Sequence, residues 1–147
     1  MVEITTYVDN FFHLFMAVNI GGMFIYSYAL SCAAGRAPSA NIGQRNLVFS
    51  FKIDLSLLVL LAFAFVSGAW LVVAKGYTFT TPWIESAIIF LALIWLLTLL
   101  LLLRKRRAFR NEAILAWYEL HITYGLIFLL YACVVHDAVI KTTFLRW

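Results

Sequence analysis

The stretch IESAIIFLALIWLLTLLLLLRKRR, residues 84–107, decides the fold. Nothing ionisable stands between Glu85 and Arg104. At 1.5 Å per residue, residues 84–103 match the roughly 30 Å hydrocarbon core of a bilayer. Four consecutive bases then end the run. Working outward, three further runs have the same character, at 11–34, 53–74 and 113–140. The last is longer than a span requires and carries Glu119 and His121, which predicts tilt or a partly exposed end. Ten-residue alternation, the mark of a membrane barrel, is absent.

Composition agrees. The 147 residues are 65% hydrophobic and 12% charged, with mean hydropathy +0.95. A soluble domain is about 45–50% apolar and roughly 25% charged. That excludes an ordinary water-soluble globule and a disordered chain alike. The surplus of bases, eleven Lys and Arg against seven Asp and Glu, does not indicate nucleic acid. The bases flank the apolar runs, where membrane topology accounts for them.

The expected fold is therefore all-α: a single integral membrane domain, a four-helix antiparallel bundle joined by short connections at 35–52, 75–83 and 104–112. One side receives Arg36, Arg45, Lys52, Arg104, Lys105, Arg106, Arg107 and Arg110; the other receives Lys75, Lys141 and Arg146. The positive-inside rule puts the first set in the cytoplasm and both termini on the non-cytoplasmic side. A bacterial inner membrane is the expected location, and the lipid bilayer the first partner. The run Arg104-Lys105-Arg106-Arg107 reads as solvated and headgroup-binding. Residues 1–10 have acids and no base, unlike a cleavable signal. Cys32 and Cys133 are read as separate apolar thiols, most of a membrane thickness apart.

Ionisable groups inside a span cost roughly 2.5–3.5 kcal/mol on insertion scales, so each needs a reason. His13 and His136 lie roughly 9 and 8 Å inside the same predicted face, on antiparallel helices. His13 shares a helical stripe with Ala17 and Gly21, and His136 shares one with Ala132 and Gly125. Small residues there leave room for a flat macrocycle or for a close neighbouring backbone. Asp9, one turn before His13, is placed to accept its second N–H. Two facing neutral imidazoles in a dry bundle are what a bis-histidine haem b requires. The competing readings are a metal site built from Asp9, His13, His136 and Asp137, suited to Cu(II) or Zn, with Met16 and Met23 assisting Cu(I), and purely structural histidines. At the other end Glu119, His121 and Asp54 read either as a proton-handling cluster or as interface pairs, with Arg110 and Lys52 as partners. No nucleophile–base set or phosphate loop is present, so no catalytic residue is assigned.

The run HLFMAVNIGGMF, residues 13–24, has a histidine eight residues before a Gly-Gly. With Ser67-Gly68 late in the second span and Trp83 opening the third, it resembles small four-helix membrane proteins of the HemJ/CopD type. For the HemJ-type protoporphyrinogen oxidases the resemblance implies a bound haem b with His13 as the matching ligand, and oxidation of a tetrapyrrole. The lysine those enzymes carry after the opening Trp is replaced here by the run Ile84, Glu85, Ser86. For CopD-type proteins it implies copper handling at His13. The expected function is a haem-b-bearing electron-transfer protein or subunit of a membrane redox complex. Copper transport, or a cofactor-free accessory subunit of an oligomer or larger complex, is the alternative.

Overall fold

The computed structural model describes residues 2–109 and 117–140, and side chains within 11–109 and 117–138. Four helices account for nearly all of them: α1 Val2–Gly35, α2 Ala40–Ala74, α3 Pro82–Phe109 and α4 Trp117–Ile140. All four are long and apolar enough to cross a membrane.

Three helix boundaries depart from the sequence expectation, the first being the start of α1 at Val2 and not near residue 11. The second helix starts at Ala40, not near residue 53, and the third continues to Phe109, through the basic run. Polarity ends a membrane span but does not end a helix, whose backbone bonds need no lipid. The stops are local chemistry instead. Ser39 sits in extended conformation as the N-cap of α2, and its Oγ accepts from the Ile42 N–H at 3.5 Å. Gly43, one turn in, lets α2 leave α1 at close range: a Cβ there would lie 2.9 Å from the Ala34 carbonyl oxygen. At the far end, Gly76 takes φ +70 and its N–H bonds the Val73 carbonyl, closing α2. Pro82 opens α3, where a missing N–H costs nothing.

Consecutive helices pack together, and α1 also touches α4. The core runs along the axis: Met16, Ile20 and Phe24 from α1, Leu57, Leu61 and Ala64 from α2, Ile94 and Leu101 from α3, Leu120, Tyr124 and Ile127 from α4. Large apolar side chains also face outward on every helix, among them Phe11, Phe15, Val66, Trp70, Leu96 and Leu129. Such a surface would be a liability in water and is ordinary against lipid tails.

Candidate functional site

Polar groups interrupt this apolar body in several places. The first is a cavity of about 230 Å³ to which every helix contributes. Ala64, Gly68, Leu71 and Val72 of α2 face Ile84, Ala87, Ile88 and Leu91 of α3, with Val134 and Ala138 of α4 beside them. His13 of α1 and Lys75 supply the basic nitrogens of the lining, and Trp83 closes one wall. His13 is half-buried, its Nδ1 3.3 Å from Ser67 Oγ. Ser67 has a single hydroxyl proton and gives it to the Ala64 carbonyl at 3.1 Å. With that proton on the carbonyl, Ser67 Oγ is able to accept from the Nδ1–H tautomer of His13, the tautomer that leaves the lone pair on Nε2. An imidazole held this way can ligate a metal or accept a hydrogen bond.

The other residues of the expected site are dispersed. His136 does not line the cavity; its Nδ1 stands 3.3 Å from Asp137 Oδ1. Asp137 is fully buried and receives the Ser86 hydroxyl at 2.5 Å. The Ala17–Gly21 stripe is filled from within the bundle: the Tyr131 hydroxyl donates to the Ala17 carbonyl, and a Cβ on Gly21 would meet the Tyr131 ring at 3.1 Å. Gly125 and Ala132 are exposed, and nothing lies within 4 Å of a Cβ built at Gly125. Met16 is buried in the core, with Met23 packed against it. The Asp9 and Arg110 side chains lie outside the described residues. Cys32 and Cys133 are both free thiols. Among the described residues no group of three or more His, Cys, Asp or Glu is placed to hold a metal ion.

Of the second region the sequence reading singled out Asp54 alone, and the structure corrects the reading of the basic run. Lys105 is not solvated. It is 0% exposed, with Nζ 2.5 Å from Asp54 Oδ2, 2.6 Å from Ser50 Oγ, 2.8 Å from the Tyr124 hydroxyl and 3.4 Å from Ser27 Oγ. Ser27 Oγ donates to Asp54 Oδ1 at 2.5 Å and contacts Ser50 Oγ at 2.9 Å. Ser31 Oγ meets Ser50 Oγ at 2.7 Å. All four helices thus converge on one ion pair, and no buried side-chain polar atom of the described residues lacks a partner. The cause is helical phase. Ile94, Thr98, Leu101 and Lys105, spaced by four, three and four, share the buried face of α3. Asp54 therefore pairs with Lys105 and not with Lys52. Nor do Glu119, His121 and Asp54 form one cluster: Glu119 takes Arg104 at 3.2 Å, and His121 Nδ1 meets the Tyr28 hydroxyl at 2.9 Å.

Comparison of the chain with protein-family models, with curated proteins and with solved structures gives no match.

Proposed function

We propose that this chain is an integral membrane protein that binds haem b at the His13 cavity and passes electrons, alone or as the haem-bearing subunit of a larger membrane complex. The observation that carries the reading is a cavity-lining imidazole met by Ser67 at Nδ1, an arrangement whose Nδ1–H tautomer presents Nε2 as a ligand nitrogen. Around it the walls are apolar, which keeps water away from a bound ring. Lys75 in the same lining is suited to the carboxylates such a ring carries.

The donor set fits on one side only. His136 stands outside the lining, so among the described residues His13 is the one imidazole the cavity offers. The cavity is also smaller than the roughly 300 Å³ at which small-molecule sites begin, so a macrocycle needs lining side chains to give way. When bound, haem supplies one-electron chemistry; Ser67 orients the His13 ring, and the aliphatic walls exclude water.

The proposed topology is an antiparallel bundle with both termini on the non-cytoplasmic face. Contact registers support the antiparallel part: His13 meets Ser67 and Ser27 meets Ser50, while Gly21 meets Tyr131 and Tyr28 meets His121. Numbers rise on one helix as they fall on its neighbour. Excess bases at the opposite end support the orientation.

The test is a reduced-minus-oxidised absorption spectrum of the purified protein. The expected result is a b-type signal, lost in His13→Ala and kept in His136→Ala. Colourless protein with stoichiometric copper would replace this reading with copper handling. Colourless, metal-free protein that co-purifies with other subunits would replace it with an accessory role.

A further inference from the structure

We propose that the Asp54–Lys105 pair is a proton-exchange site buried in the bundle, reached by protons from the end that carries Arg36 and sealed from the other. An ion pair inside a membrane protein needs a reason beyond stability, since an apolar pair of similar size serves stability as well. The surroundings of this one are asymmetric along the bundle axis.

Toward the Arg36 end, hydroxyls continue the site. Ser27, Ser50 and Ser31 are joined by contacts of 2.9 and 2.7 Å, all within hydrogen-bond reach and all fully buried. A surface recess of about 480 Å³ opens at the same end, and its lining includes Ala34 and Leu47. Those residues lie three positions from Ser31 and Ser50, about one helical turn or 4.5 Å of rise. In the other direction each helix places an apolar residue next to the site: Phe24 three before Ser27, Leu57 three after Asp54, Leu101 four before Lys105, Ile127 three after Tyr124. Each is 0 or 1% exposed. Toward the recess the next layer is Ala34 and Leu47, half-buried and lining open space, whereas the other way it is a plug of four fully buried apolar side chains.

The ionisable groups facing the pair are few. Among the described residues, helix α1 contributes the Ser27 and Ser31 hydroxyls, and α4 contributes Tyr124. Glu119 is held by Arg104, and His121 contacts Tyr28. The exchange step keeps charge constant. A Lys105 N–H bond breaks as an Asp54 O–H bond forms, leaving a neutral amine beside a neutral acid. Ser31 and Ser50 each also donate to the Ser27 carbonyl at 2.9 Å, so both hydroxyls turn from it for transfer: the amine takes a proton from Ser50, Ser50 is refilled by Ser31, and Ser31 by water. The acid's proton then returns along Ser27, Ser50 and Ser31. One proton enters, one leaves, and the pair is restored.

The experiment is NMR on the whole chain in lipid nanodiscs, with ¹⁵N at the lysine Nζ positions and the Lys105 signal assigned by its loss in Lys105→Met. Exchange of the Lys105 Nζ protons with water should be at least 100-fold faster than that of the Leu101 and Ile127 amides in the plug. Ser31→Ala, which touches neither ion, should slow it at least tenfold, and Ser31→Thr should restore it. Thr98→Val, which removes a buried hydroxyl bonded to the Ile94 carbonyl, should leave it unchanged. Nζ exchange no faster than the plug amides overturns the proposal without any variant. Equal exchange in Ser31→Ala and wild type overturns it as well.

Discussion

The His13 cavity and the Lys105–Asp54 node are both polar interruptions of one apolar bundle, and they handle polarity in opposite ways. At the node every donor meets an acceptor, and an ammonium with three protons has four oxygens within 3.4 Å. At the cavity the imidazole meets Ser67 through Nδ1, and its Nδ1–H tautomer carries a lone pair on Nε2. A saturated network excludes foreign ligands. A half-used side chain at a void accepts one. Placement in a low dielectric sharpens both tendencies, because a partner there is worth more and its loss costs more.

The largest expected effect tests the saturated end. Lys105→Met leaves the Asp54 carboxylate buried with hydroxyls alone, and removing one member of a buried pair costs about 3–5 kcal/mol. Adding Asp54→Leu should recover most of that loss, since the pair together is worth little more than apolar residues of similar volume. Unfolding by denaturant in mixed micelles, followed by helical circular dichroism, gives the double-mutant cycle. A Lys105→Met variant as stable as wild type would erase the contrast.

Ser67→Ala is the intermediate case and tests the open end. Removing the oxygen that fixes His13 costs only about 0.5–1.5 kcal/mol of stability, a single hydrogen bond's worth. Its effect on ligation is larger in proportion, because groups that orient a ligand imidazole typically contribute 10–100-fold to metal affinity. Haem titration of the apoprotein should show a loss of that size while the unfolding midpoint barely moves. Gly68→Ala is the matched control: its Cβ would sit 3.5 Å from His13 Cε1, an ordinary contact that leaves the ring in place.

These contrasts also explain what could be read in advance. The four helices were legible because transfer of apolar side chains out of water dominates every other energy in runs such as 84–103. Helix ends were not, since Arg45, Lys52 and Arg106 are as content in a helix that has left the lipid as in a loop. His13 was picked out by its depth and does line a cavity. Its neighbours depend on helix rotation, which the small residues at 17, 21, 125 and 132 do not determine; Tyr131, a large side chain, filled the stripe instead. Lys105 was hidden by company. Four bases in a row look solvated, yet the spacing from Ile94 through Thr98 and Leu101 to Lys105 already carried the buried phase. So did the four-residue intervals from Ser27 to Ser31 and from Ser50 to Asp54, each a polar stripe in an apolar helix.

The smallest expected effect comes from the residue next door. Arg104 and Lys105 are adjacent on α3, and both pair with a carboxylate, Arg104 with Glu119 at 3.2 Å. About 100° of helical rotation separates them, so the Arg104 and Glu119 side chains are 43% and 40% exposed where those of Lys105 and Asp54 are not exposed at all. An exposed pair gains little Coulomb energy in water or among headgroups and loses side-chain freedom in return, for a net contribution of about 0–1 kcal/mol. Arg104→Gln should therefore shift the thermal midpoint slightly at low salt and not at all at high salt, where surface charges are screened beyond about 3 Å at 1 M. The Lys105→Met loss should persist unchanged across the same salt range, because no counter-ion reaches the node. A salt-sensitive Lys105 would mean that the ammonium spends its time in solvent, and the distinction between two neighbouring bases would reduce to one of degree.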